Sequence, residues 1–193
     1  MILLYIVDEN VKKRLSNKIM YRPVMNTFRR AVPNDIQNLV VLINQAYREN
    51  IGRSWTNEQH VIQGQRIQYK QLENLLTNPH FELWLCEQLV ADSAKQHILL
   101  GCIGLTHNPD DAGQIEIGTF AVQPEFQNQG LGRQFLTFLE QYIHNNYAEV
   151  ECINMYVLHV RQSLIAFYER AGYQQSGDTE AYPTQLDVGI PTV

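Results

Sequence analysis

Cysteine is scarce in this chain. Only Cys86, Cys102 and Cys152 occur among 193 residues. An odd number without a CxxC spacing argues against a disulfide framework and against a zinc or redox centre. Each falls in an apolar, strand-like run, where a free thiol packs as a small hydrophobe. Long apolar runs are missing as well: nothing approaches the roughly 20 residues that a membrane-spanning helix needs. Met1 to Val7 is apolar but short, and positive charges follow it, the reverse of a secretory signal. A soluble, cytoplasmic protein without a membrane partner is therefore expected. Positive charge is also in short supply. The formal net charge is −5, and the one dense basic run, Lys12, Lys13, Arg14 and Lys18, is peripheral. Nucleic-acid binders carry a basic face or stripe, so no nucleic-acid partner is expected. Mild acidity suits a cationic amine substrate, but it suits most cytoplasmic proteins equally well.

What is present is the pattern of one domain. Hydrophobic residues make up 45% of the chain, enough for a single α/β core with little left for a second. Residues 1–26 read as an N-terminal extension of uncertain role, and residues 27–193 as the domain. Thr27 to Val32 reads as a strand. Pro33-Asn34-Asp35 then caps a helix with Ile36, Leu39, Val40, Ile43 and Tyr47 on one face. Thr56 and Gln59 have the capping-box form and predict a second helix reaching Leu76. Strands follow at 81–87, 97–106 and 114–122. Leu131 to Asn145 carries the apolar stripe of an amphipathic helix. A strand at 151–160, a short helix stopped by Gly172 and the start of one more strand complete the order. That order, β-α-α-β-β-β-α-β-α-β, predicts an α/β (α+β mixed) fold with helices on both faces of a mixed sheet.

Function is concentrated between Ile115 and Arg133. A strand enters a turn that opens directly into the amphipathic helix, whose unpaired N–H groups and positive dipole end favour phosphate. Gly130 and Gly132 remove side chains where a pyrophosphate must approach the backbone, and Arg133 can add a charged contact. Two glycines can also simply shape a tight turn, and the spacing is neither GxGxxG nor GxxxxGK[ST].

Gln127-x-x-Gly130-x-Gly132, entered from Glu116-Ile117-Gly118-Thr119-Phe120-Ala121-Val122, resembles the acetyl-CoA signature of the GNAT family of N-acetyltransferases. The likeness runs from about Thr27 to Ser176. It implies a three-layer α/β/α fold around a central, mostly antiparallel sheet, with acetyl-CoA as co-substrate and no metal. It places the pyrophosphate on the turn formed by Gln127, Asn128, Gln129, Gly130, Leu131, Gly132 and Arg133. Pantetheine would pair with the backbone of a bulge carried by Thr119 to Val122, through Phe120, Ala121 and Val122, and Gly118 would ease that bulge.

Acetyl transfer to an amine requires a neutral amine, a stabilised oxyanion and a proton for the leaving thiolate. Glu116, a lone carboxylate between Ile115 and Ile117, is the candidate base, since burial would raise its pKa. A solvent-facing or ion-paired role is the alternative. Tyr168 has the spacing of a core residue. Its segment, Ala166-Phe167-Tyr168-Glu169-Arg170-Ala171-Gly172-Tyr173, is similar to the family segment whose tyrosine protonates the thiolate. His107 and His159 are rival bases, ranked below Glu116.

Many family members carry Asn seven residues before that tyrosine, where it contacts the cofactor; this chain has Arg161. Either that contact is lost, or Arg161 reaches a phosphate or the acceptor's carboxylate. In the family the acceptor site lies near the connection of the first two helices. Here Arg48 or Arg53 could hold a carboxylate, Trp55 form an apolar wall and Glu58 attract an ammonium, which hints at an amino-acid-like acceptor. Pro183 and Pro191 disfavour the long strand with which the family generally ends. Either that strand is missing or another segment replaces it, and Met1 to Val7 is apolar and β-prone enough to do so, in this chain or a partner's. The resulting reading is direct acetyl transfer from acetyl-CoA to the primary amine of a small molecule. A non-catalytic acyl-CoA-binding regulator on the same fold, a protein or peptide acceptor, a longer acyl chain and a homodimer stay open.

Overall fold

The computed structural model describes residues 1–10, 12–13, 26–49, 54–89 and 97–192. Its elements are β1 (Ile2–Asp8), β2 (Asn26–Arg30), α1 (Ile36–Arg48), β3 (Ile62–Gln63), α2 (Tyr69–Thr77), β4 (Phe81–Leu89), β5 (His97–Asn108) and β6 (Asp111–Val122), followed by α3 (Leu131–Asn146), β7 (Cys152–Leu158), α4 (Gln162–Ala171), β8 (Gln174–Ala181) and β9 (Ile190–Pro191).

Side-chain alternation along the strands divides the apolar residues into two cores. Leu83 and Leu85 of β4 and Cys102 of β5 pack with Ile36, Leu39, Ile43 and Ala46 of α1 and Leu72 of α2. Cys86, Ile103 and Leu105 point the other way and meet Phe135, Leu136, Leu139 and Ile143 of α3 with Ile165 and Ala171 of α4. One sheet with a core on each face is the three-layer, mostly antiparallel arrangement that the family resemblance implies. The strand order is β2-β4-β5-β6-β7-β1-β8. Every neighbouring pair is antiparallel except β6 and β7, which run parallel and pair only over Gln114–Glu116 against Cys152–Asn154.

The apolar start of the chain is a sheet strand. β1 lies between β7 and β8, with Leu3 to Asp8 registered against Leu158 to Ile153 and Ile6 fully buried. Beyond β8 the chain leaves the sheet. A short 3-10 turn at Thr184–Leu186 leads to β9, which pairs with β3 as a two-residue ribbon.

The helix expected from Thr56 to Leu76 is shorter in the structure, spanning only Tyr69–Thr77. The reason is tertiary. The Thr56 hydroxyl, which a capping box would aim at its own helix, instead donates to the Ala46 carbonyl and accepts from Gln127 Nε2. Gly64, at φ 92°, breaks the run, and Gln71 Oε1 accepts from the Gln68 amide to start the helix late. No helix among the described residues is long and apolar enough to cross a membrane.

Candidate active site

The site follows from the short pairing of β6 and β7. After Glu116 and Asn154 the two strands separate, although β6 continues to Val122 and β7 to Leu158. Two parallel strands that part in mid-sheet leave a cleft between them. Its depth is increased by a bulge in β6. Cys102 registers with Ala121 and Gly104 with Gly118, so two steps on β5 oppose three on β6. The extra residue turns Ala121 to the α1 side, whereas Ile115 and Ile117 face α3.

The bulge sits at Thr119, whose φ is 48°, at the start of the Thr119 to Val122 stretch expected to carry it. Positive φ in a β-branched residue is strained and persists only where its surroundings impose it. Here the Cys102 thiol donates to the Thr119 carbonyl and the Tyr47 hydroxyl to the Phe120 carbonyl, at 3.1 Å in the second case. Both carbonyls are thereby held in place.

A groove of about 280 Å3 runs from this bulge to the start of α3. It is lined by Phe120 and Val122, by Gln127, Asn128, Gly130, Gly132 and Arg133, and by Phe167 and Tyr168 of α4. Gly130 caps α3 in the left-handed region at φ 81°, which only glycine adopts readily, and a Cβ there would meet nothing within 4 Å. A Cβ on Gly132 would stand 3.8 Å from the rings of Phe120 and Phe167, an ordinary contact. The protein itself leaves room at both positions. The smoothness of the groove therefore suits a ligand that comes up against the backbone at a helix N-terminus.

The remaining residues of the turn have distinct places. The Gln127 side chain is tied up in the protein: its Oε1 accepts from the Trp55 amide and its Nε2 donates to Thr56 Oγ1 and the Val122 carbonyl, both at 3.0 Å. It pins the 54–56 loop to the turn. Leu131 and Ala121 bury their side chains in the two cores, so only their backbone can serve a ligand. Gln129 is exposed and bonds the Glu125 carbonyl. Arg133 reaches the Arg170 carbonyl at the groove rim. Pantetheine and a pyrophosphate fit this lining of apolar rings, glycines and helix amides.

A second cavity, of about 760 Å3, opens on the other side of the bulge. Tyr47, Phe120, Leu164 and Tyr168 line both cavities and form the passage between them. Burial, and secondarily the neighbouring Tyr47, raise the pKa of Tyr168 well above that of an ordinary phenol. Tyr47 is likewise pushed up to about 12, mainly by burial. Glu116 faces the second cavity with Thr106 and Gly118. Its pKa is raised by burial first and by Glu180 second, against a lowering by Arg66. His107 pairs with His80 at 3.4 Å and His159 with the Ile2 carbonyl, and neither lines either cavity.

The residues expected to bind the acceptor are arranged differently. Glu58 takes Arg48 on one carboxylate oxygen and Arg161 on the other, and all three side chains are nearly inaccessible. Arg48 also donates to the Val188 and Gly64 carbonyls, and Arg161 to the Trp55 carbonyl. The three charges expected to meet ligands are thus paired with one another, while Glu58 also lines the second cavity. Trp55 lines the first groove and stands 6.0 Å from Phe167. Arg53 lies outside the described residues.

The wall of the second cavity includes Tyr182, Pro183, Gln185, Leu186 and Val188 from the C-terminal strap. Gln71 Nε2 donates to the Leu186 and Asp187 carbonyls and fastens it to α2. Gly189 has φ 100°, and a Cβ there would lie 2.6 Å from Ile62 Cγ2 and 2.7 Å from the Gln63 carbonyl. Gly189→Ala is expected to cost the strap about 1–3 kcal/mol. The loss would be read as weaker hydrogen-exchange protection of the Thr192 amide, which bonds the Val61 carbonyl.

Sequence reasoning missed Arg66, Glu180 and the junction role of Tyr47. Arg66 fell inside an expected helix, Glu180 followed the last recognised segment, and Tyr47 had the spacing of a core residue. None carried a local motif.

No curated protein matches the sequence. Among solved structures, a spermidine N-acetyltransferase from Vibrio cholerae in complex with CoA and spermine is similar, with 17% identity and a TM-score of 0.58 over 79% of this chain and 83% of that one. A possible acetyltransferase from Clostridium difficile 630 is 15% identical, with a TM-score of 0.60 over 82% of this chain and 96% of that one. At these identities the likeness speaks for the fold alone. The family model described as "Acetyltransferase (GNAT) family" matches residues 46–173, well over half of the chain. That span contains the parting strands, the bulge, the glycine turn and Tyr168, so the chain belongs to the GNAT family of acetyltransferases.

Proposed function

We propose that the chain transfers an acetyl group from acetyl-CoA to the primary amine of a small molecule, directly, with both substrates bound. The observation that carries this reading is the junction at Tyr168, which lines the groove suited to coenzyme A and the separate cavity suited to an acceptor. Bound acetyl-CoA supplies the activated thioester. The backbone of the bulge at Thr119 and Phe120 and the N-terminus of α3 orient it. Glu116, in the acceptor cavity, takes a proton from the ammonium, directly or through water, so that the amine nitrogen can attack. As the new C–N bond forms, the C–S bond breaks and Tyr168 donates its proton to the departing sulfur, while the second proton of the attacking nitrogen is lost to water and solvent reprotonates Tyr168. A cavity walled on one side by the strap and α2 suits a small acceptor better than a protein surface. The Vibrio cholerae protein crystallised with spermine is a family example of a small-molecule amine.

The test is calorimetric titration with acetyl-CoA, followed by thiol release over amino acids, polyamines and peptides. Binding without release from any amine would sink the catalytic reading in favour of a regulatory acyl-CoA-binding module. The pH dependence is a second check. A base works deprotonated, and burial raises Glu116, so kcat/KM should climb with pH through a step lying above the ordinary carboxylate range. Glu116→Gln should abolish that step and lower the rate by about 100-fold. An unchanged profile would remove Glu116 from the mechanism.

A further inference from the structure

We infer that Arg66 is the anchor for a carboxylate carried by the acceptor, so that the acceptor is a small amino acid and not a plain or polycationic amine. This inference rests on the acetyl-transfer reading above. Arg66 lines the acceptor cavity, and no carboxylate among the described residues lies within ion-pair distance of it. The other arginines near this cavity, Arg48 and Arg161, are both neutralised by Glu58.

Arg66 is nonetheless held firmly. Its amide donates to Asn44 Oδ1 at 2.7 Å, and Asn44 Nδ2 clamps the neighbouring Ile67 carbonyl at 2.8 Å. Its guanidinium carbon stands 5.3 Å from the centre of the Tyr47 ring, the ring that lines the passage to the cofactor groove. A cation held at the backbone and by an aromatic face, with its donor fork unclaimed by any carboxylate among the described residues, is a preorganised anion site.

The cavity also has an opposite pole. Glu116 and Glu180 line it, and the positive field of Arg66 reaches Glu116 and Tyr182, favouring the ionised form of both. Both signs of charge in one cavity suit a zwitterion: the carboxylates attract the amine and Arg66 receives the carboxylate. The planar guanidinium matches the two oxygens of a carboxylate. A phosphate dianion is a poorer fit, because among the described residues no lysine or second unpaired arginine lines the cavity, and Glu116 and Glu180, beside the ion-paired Glu58, would oppose it. A polyamine is disfavoured as well, since Arg66 would repel its second ammonium.

The test uses the full chain and pairs of acceptors that differ only in the carboxylate: lysine with cadaverine, and ornithine with putrescine, with spermidine alongside. Wild-type protein should prefer the amino acid of a pair. Arg66→Gln should raise KM for the amino acid by about 10–100-fold and leave the decarboxylated partner nearly unaffected. Arg66→Lys should recover part of the loss. Unchanged acetyl-CoA affinity would show that the variants are folded. Preference for cadaverine, putrescine or spermidine, or an equal effect of Arg66→Gln on both members of a pair, would overturn the role of Arg66 and leave acetyl transfer standing. Acetyl-CoA binding without thiol release from any of these amines or a wider panel would overturn both readings together.

Discussion

Tyr168→Phe should lower kcat by about 10²–10⁴-fold, the usual contribution of a positioned acid, with little change in affinity for acetyl-CoA. The substitution removes one hydroxyl and keeps the ring, so the contacts with Phe167, at 5.2 Å between centroids, and with Tyr173, at 6.0 Å, persist. The hydroxyl stands at the junction of the two cavities, with no hydrogen bond to a described side chain holding it. Its raised pKa keeps the proton in place across the neutral range. That does not disqualify it as a donor, because burial raises a thiol as well: Cys86 and Cys102 in this protein are both pushed up to about 12 by desolvation. A leaving thiol desolvated beside Tyr168 would be raised in the same direction as its donor. Stopped-flow single turnovers with a saturating amine would measure the step. Unchanged turnover would show that solvent protonates the sulfur and that Tyr168 only shapes the passage.

The largest expected effect on stability is at Glu58. Glu58→Ala leaves two guanidiniums, 7% and 11% exposed, without their shared counter-charge. Breaking a buried pair in this way costs about 3–5 kcal/mol, because the orphaned charges stay desolvated. A urea midpoint shift at constant slope would report it. Damage should spread in two directions, since Arg48 also holds the Val188 carbonyl of the strap and Arg161 the Trp55 carbonyl beside the groove. Weaker binding of both substrates is therefore expected with the stability loss. Replacing all three residues by apolar ones of similar size should restore much of the stability without restoring the binding. A loss below about 1 kcal/mol, the range of exposed pairs, would mean that water reaches the cluster.

The two predictions concern residues that the sequence presents very differently. Tyr168 is recognisable because its neighbours Phe167, Gly172 and Tyr173 stand at fixed offsets along one helix and its cap, and short-range spacing survives into the fold unchanged. The same holds for Gly130 and Gly132, where a turn runs into an amphipathic helix, and for the faces of α1 and α3. Glu58, Arg48 and Arg161 looked like separate ligand-binding groups because nothing local announces an ion cluster. Arg161 meets Glu58 across 103 residues of sequence.

By itself, then, the sequence determined the family, the order of most elements, the glycine turn and the face on which Glu116 lies. These depend on residues within a few positions of each other, where periodicity and capping act directly. Only the tertiary structure decided where β6 and β7 part, between which strands the β-prone start of the chain is inserted, and that Arg66, Glu116 and Glu180 share one cavity. Each of these is set by packing between segments far apart in the chain. The helix signal at Thr56 lost to such packing when the hydroxyl found better partners in Ala46 and Gln127. A local preference worth at most a kilocalorie or two yields to a buried tertiary network whenever both compete for the same donor.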